Sequence, residues 1–239
     1  MKRYLIPALL AVVVIAGGAA YFYSQQTASV SELAAARSSG PAGSAATQNA
    51  GTGEKAISNA AELLAPGPLD DRSIGNADAP VTIIEYASLT CPHCAAFHAE
   101  TLPALKAKYI DTGKVRLIFR EFPLDNYAAA GFMLARCAEG DKYFPIVDAF
   151  FKQQGGLMAA SDPYAWVEGF AKQVGFTKES MESCLTNQQL LDNVQAVRQR
   201  ATEKFGVTST PTFFINGVLR RGDLKLDEIE KDILPLLRS

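Results

Sequence analysis

Apolar and polar positions fall into distinct regimes along the chain. From Tyr4 to Ser31 no charged residue occurs, and the apolar centre from Leu5 to Tyr23 is long enough to cross a bilayer. From Ser38 to Gly53 the chain is again uncharged, but mostly Ala, Gly, Ser and Thr. Such a stretch cannot bury enough surface to offset its ordering entropy. Ile57 to Ala65 reads as a short helix, ended by Pro66-Gly67-Pro68. The run from Val81 to Ala87 is rich in β-branched and aromatic residues and predicts a buried strand. A helix is expected to begin near Pro92, because proline suits a first turn. Val115 to Phe122 predicts a second strand. Helical spacing then takes over. Ala130, Met133, Leu134 and Cys137 share one stripe, and Asp162-Pro163 to Gly175 carries start and stop signals. Leu190, Val194, Val197 and Ala201 form another stripe, closed by Gly206. Thr212 to Ile215 and Val218 to Arg221 flank Asn216-Gly217, a strong hairpin signal. Leu226, Ile229, Ile233 and Leu236 predict a final amphipathic helix.

Strand, helix and strand imply a parallel crossover, and the hairpin adds antiparallel strands. The expected fold class is α/β, a mixed sheet covered by helices, with a helical insertion at about 125–206. Three regions are expected: a signal-anchor or signal peptide at 1–24, a flexible linker at 25–75 and a folded domain at 76–239. Lys2 and Arg3 before the apolar run predict that the N-terminus stays in the cytoplasm and the rest is exported. A cleaved signal peptide would be cut near Gly18-Ala19-Ala20. The length of the run, and the aromatics Tyr21, Phe22 and Tyr23 that end it, favour a retained anchor. As coil, the linker would reach about 40 Å, enough to let a domain search the space above a membrane.

Composition narrows the function. The chain has 239 residues, 48% of them hydrophobic, which excludes a wholly disordered protein. Its 23 basic and 25 acidic side chains give a formal charge of −2, so no basic excess exists for nucleic acid. Four cysteines and two histidines are too few for a disulfide-dense scaffold or a multi-site zinc protein.

The candidate chemistry lies in Cys91-Pro92-His93-Cys94, directly after the first predicted strand. A C-x-x-C pair beside a strand-helix-strand pattern reads as a thioredoxin-like redox motif. At a helix start, the first sulfur faces unpaired N–H groups and the positive end of the dipole, which favour thiolate. Cys91 is therefore the expected nucleophile and Cys94 the partner that closes or resolves the disulfide. His93 adds a donor or a positive charge. Lowering the Cys91 pKa from about 8.5 to about 5 would stabilise the reduced form by about 2.7 kcal/mol at pH 7. That raises the potential of the couple by about 60 mV, which suits an oxidant. The alternatives are a structural disulfide, whose tiny loop offers little stabilisation, and a zinc site from Cys91, Cys94 and His98, for which a fourth ligand is not evident. A haem attachment would need His at position 95, which is Ala. Thr210-Pro211 opens the late strand, and a trans proline at a strand start is the ordinary reading. Glu85 interrupts an apolar strand. It is either a buried carboxyl able to relay a proton to or from Cys94, or an exposed or salt-bridged strand carboxylate.

The segments from Ala79 to Ser88, Cys91 to Cys94, Phe97-His98 and Thr210 to Gly217 together resemble the DsbA-like thiol:disulfide oxidoreductases. The resemblance implies a thioredoxin fold with an inserted helical domain, a cis Pro211 and a proton-relay role for Glu85. It also implies exchange of disulfides with exported client proteins, bound in part by Thr210 and Pro211. No metal or organic cofactor is implied. An oxidant would need a membrane redox partner to reoxidise Cys91–Cys94. Thr210 departs from the Val that precedes the cis proline in the best-known oxidant of the family, and leaves isomerase or reductase chemistry open. A tethered, non-catalytic chaperone module is the reading from a different class.

Cys137 and Cys184 both fall in the helical insertion. In an oxidising compartment a bond between them is more economical than two spare thiols, although Cys137 on an apolar stripe also suits a buried thiol. The bond would brace the domain by roughly 4 kcal/mol in the chain-entropy account. The expected localisation is the periplasmic side of the inner membrane, attached through the N-terminal segment.

Overall fold

A computed structural model describes residues 60–238. The chain enters through α1 (Ala60–Leu64) and the short strand β1 (Arg72–Ile74), followed by β2 (Val81–Ala87). β2 carries Val, Thr, Ile, Ile and Tyr, side chains that pack well on a pleated surface, and it is buried along nearly its whole length. It pairs in parallel with β3 (Val115–Glu121), with Val81 opposite Val115 and Ala87 opposite Glu121. On its other edge it pairs antiparallel with β4 (Thr212–Ile215), which turns back into β5 (Val218–Arg221). β1 adds an antiparallel edge on β3, giving the strand order β1-β3-β2-β4-β5. Asn216 and Gly217 join β4 to β5 with φ values of 42° and 85°. Both turn residues are thus left-handed, as a tight hairpin with right-twisted strands requires.

Between β2 and β3 the chain runs through α2 (Pro92–Ala96), a π-helical turn (Phe97–Thr101), α3 (Leu102–Leu105) and a second π-helical turn (Lys106–Ile110). Phe97, Leu105 and Tyr109 from this stretch pack with Ile229 and Ile233 of α9 (Leu226–Leu236) over Ile83, Leu117 and Phe213 of the sheet. The helical layer between β3 and β4 holds α4 (Asn126–Cys137), α5 (Tyr143–Ala159), α6 (Pro163–Gln173), α7 (Lys178–Leu185) and α8 (Gln188–Phe205). Two of its starts are capped by aspartates: the Asp125 carboxylate accepts from the Tyr127 and Ala128 amides, and that of Asp162 from the Ala165 amide at 3.0 Å. α4 approaches the strand end so closely at Gly131 that a Cβ there would sit 2.7 Å from Leu89 Cδ1 and from the Phe150 ring.

The core surfaces explain where the layers meet. Ile84, Tyr86, Ile118 and Phe214 pack with Val197, Ala201 and Phe205 of α8 and with Leu63 of α1. Leu89, Cys91 and Cys94 belong instead to the apolar cluster of Phe132, Phe150 and Phe170, so the C-x-x-C segment lies where sheet and helical layer join.

The span expected to be linker, 25–75, needs a correction at its end. α1 and β1 lie within it and are part of the fold. Leu63 is 1% exposed, and the Arg120 guanidinium holds the segment down by donating to both Asp71 carboxylate oxygens at 2.7 and 2.9 Å and to the Leu63 carbonyl at 2.8 Å. A three-residue strand with Arg-Ser-Ile has no alternation long enough to read as a strand beforehand. The expected anchor at 1–24 and the rest of the linker before residue 60 lie outside the described residues. Among the described residues no helix is long and apolar enough to cross a membrane.

The Arg120–Asp71 pair gives a direct check on that edge. Asp71→Ala leaves a guanidinium that is almost wholly buried without its counter-charge. The expected loss is about 3 kcal/mol, read as a lower urea midpoint with an unchanged slope.

Candidate active site

Cys91 sits at the N-cap of α2, in extended conformation, with Pro92 in the first turn. Its residue surface is only 5% exposed, while Pro92 and His93 beside it are exposed. Cys91 and Cys94 carry no disulfide in this structure. The Cys91 Sγ lies 3.2 Å from the Thr210 carbonyl oxygen, and the Thr210–Pro211 peptide is cis. Sheet pairing explains this meeting: β2 ends at Ala87, a short loop before Cys91, and its antiparallel neighbour β4 starts directly after Pro211.

The two sulfurs differ in their electrostatics. Cys91 is held at about 5, far below the ordinary thiol value of 9.0. The largest cause is hydrogen bonding from the Cys94 thiol, which outweighs the opposing effect of burial. Thr210 and the backbone N–H groups of Cys94 and His93 add to it. Cys94 goes the other way. It is 0% exposed, and burial first, then its bonding to Cys91 and the charge of Glu85, push its thiol well above 9.0. One sulfur is thus a thiolate at neutral pH and the other a thiol. Replacing the smaller contribution tests the balance. Thr210→Val is expected to move the Cys91 ionisation midpoint upward from about 5, followed by thiolate absorbance across a pH series.

Glu85 lies on β2 opposite Phe213, is 0% exposed, and forms a buried ion-pair contact with His98. The His98 Nε2 lies 3.2 and 3.1 Å from its two carboxylate oxygens. Both halves of the expected alternative are therefore present: the carboxyl is buried, and it is paired. His98, a candidate zinc ligand beside Cys91 and Cys94 in the sequence, is engaged by this carboxyl. Among the described residues no group of three or more His, Cys, Asp or Glu is gathered as for a metal ion.

Gln154 carries no signal in the sequence that ties it to the site. It lies on α5, is 7% exposed, and its Nε2 donates to the Leu89 carbonyl at 2.7 Å and the Cys91 carbonyl at 3.2 Å. Thr90 Oγ1 donates to Asp125 at 2.6 Å, so the helical layer grips the strand-to-helix loop from two elements. No local sequence signal links a glutamine to a loop so far upstream. Away from the site, Cys137 at the end of α4 is bonded to Cys184 of α7, with Cα atoms 6.1 Å apart.

Comparison with known proteins agrees with this geometry. A family model described as thioredoxin matches residues 69–233. The crystal structure of alpha-DsbA1 from Wolbachia pipientis superposes with a TM-score of 0.67 at 34% identity, over 74% of this chain and 95% of that one. The chain belongs to the DsbA-like thioredoxin family. This DsbA-like chain is also 33% identical, over 151 residues, to a putative protein-disulfide oxidoreductase of Rickettsia bellii, covering 62% of this chain and 58% of that protein. It is 29% identical to a probable disulfide bond formation protein D of Bacillus anthracis, over 68% of this chain and 76% of that protein. The DsbA-like chain thus spans about three-fifths of the length of the rickettsial relative. BdbD from Bacillus subtilis, at 20% identity and a TM-score of 0.60, shares the fold.

Proposed function

We propose that the protein is a thiol:disulfide oxidoreductase that introduces disulfides into exported proteins. The observation that carries this reading is the opposed chemistry of the two sulfurs, Cys91 held at about 5 and Cys94 pushed well above 9.0. In the oxidised form a client thiolate attacks Cys91, which lies beside the exposed Pro92 and His93, and the fully buried Cys94 is the leaving sulfur. A second client thiolate then releases Cys91, whose stable thiolate is a good leaving group. The enzyme ends as a dithiol and the client as a disulfide.

Glu85 serves as the proton relay for Cys94, and Pro92 and His93 shape and polarise the helix start. Thr210 and Pro211 bind extended clients by backbone pairing beside the sulfurs. Cys137–Cys184 braces the helical layer. The basic start and the apolar run from Leu5 to Tyr23 support an N-terminal membrane anchor, with the folded domain on the periplasmic side. A membrane partner that accepts electrons reoxidises the pair.

Thr210 favours a second reading, isomerase or reductase, because its side chain borders the sulfurs and alters the release of the mixed disulfide. The redox potential separates the two. Equilibration with glutathione is expected to place the Cys91–Cys94 couple above about −200 mV, whereas a value near the −270 mV or so of thioredoxin overturns the oxidant direction.

A further inference from the structure

We infer that His98 positions Glu85 and feeds it protons, forming the route by which the buried Glu85 and Cys94 pocket exchanges protons with solvent during each disulfide exchange. This rests on the exchange activity proposed above. Glu85 is 0% exposed and cannot meet bulk water by itself. Its carboxylate lies within hydrogen-bond distance of His98 through both oxygens. His98 is 8% exposed and lines two clefts. One, of about 360 Å³, lies beside Leu102, Lys106 and Phe144; the other lies beside Ala95, Asp148 and Phe151. The ring is held by Phe119, at 5.6 Å and nearly perpendicular, and by Phe151 at 4.5 Å.

Cys94 and His98 are four residues apart on one continuous helical stretch, a spacing that stacks side chains on the same face. Both are buried, and His98 lies in the π-helical turn that follows α2. Such turns re-aim side chains and recur at functional sites. The charged and titratable groups that face His98 are Glu85 from β2, Asp148 and Lys152 from α5, and Lys106 from the second π-helical turn. Asp148 and Lys152 pair with each other, and Lys106 pairs with Asp111, at the cleft mouths.

The step balances. A client thiolate bonds to Cys91 Sγ, the Cys91–Cys94 bond breaks, and its electron pair leaves on Cys94 Sγ. The client sulfur is oxidised and Cys94 is reduced. Glu85 passes to Cys94 the proton it shares with the His98 imidazolium, which leaves His98 neutral, and His98 is reprotonated from solvent through the cleft.

The test is single-turnover reduction of the oxidised full chain by a dithiol peptide, from about pH 5 to about pH 8, the interval where histidine titrates. His98→Gln keeps a polar side chain but carries no mobile proton. It is expected to slow the reaction about tenfold at neutral pH and to remove the inflection in that interval. The Cys91 midpoint should stay near 5 in the variant. A wild-type rate and profile overturn the inference, and so does a Cys91 midpoint that moves with the rate, which marks a structural role. If wild type itself fails to exchange disulfides, the proposed function falls instead. Should the variant not fold, His98→Asn, shorter but still polar, is read in the same way, and a wild-type rate and profile in it overturn the inference.

Discussion

Cys91→Ser is expected to abolish exchange with reduced client proteins, a loss of at least about 1,000-fold. The serine hydroxyl does not ionise near neutral pH and cannot form the mixed disulfide. Cys94→Ser should behave differently. Cys91 remains at the N-cap of α2, with the Thr210 carbonyl at 3.2 Å, and can still accept a client sulfur from an activated disulfide. Without the Cys94 thiol, however, the Cys91–client bond has no internal sulfur to displace it. The expected result is a covalent adduct that accumulates on a non-reducing gel and disappears with added dithiol. If Cys91→Ser retained full activity, or if Cys94→Ser gave no adduct, the assignment of nucleophile and partner would be wrong. The same pair of variants also separates exchange from passive binding, since a binding module would be indifferent to both.

The second large effect is on stability. In the reduced protein Cys91 is held at about 5, against 9.0 for an ordinary thiol. Its folded value is depressed, so the thiolate contributes stability that is complete above about pH 9 and disappears as pH falls through about 5. At pH 7 about half of the four-unit interval is realised, worth up to about 2.7 kcal/mol. The oxidised protein has no such group. The unfolding free energy of the reduced form, relative to the oxidised form, should therefore fall by about 2 kcal/mol between pH 7 and pH 5. Cys94 does not disturb the comparison, because its thiol stays protonated in folded and unfolded chains over this range. Urea titrations of both redox forms at the two pH values measure the difference. A gap independent of pH would remove the thiolate from the account of the driving force.

Much of this was legible beforehand because it is local. A cysteine pair at a helix start, a carboxyl in an apolar strand and Asn-Gly between two apolar runs each have a mechanism contained in a few residues. The parallel pairing of β2 with β3 also followed from element order. What escaped depends on contacts between distant parts of the chain. Gln154 looks like one more polar position on an amphipathic helix until α5 packs over the Leu89–Cys91 loop. His98 looked like a stray ligand until β2 brought Glu85 beneath it. α1 and β1 were hidden because Leu63 and Arg72 gain their partners only when β3 and α8 are already in place. Short elements of this kind carry no periodicity of their own.

The Gln154 amide has a bearing on attempts to shrink the protein. Trimming this thioredoxin-type fold down to its sheet would remove α5 and strip two carbonyls, those of Leu89 and Cys91, of the donor that covers them. The loop would then seek water in place of that donor, and the sulfur it carries would lose its fixed aim at Thr210. A miniature built from this scaffold must bring a substitute donor with it.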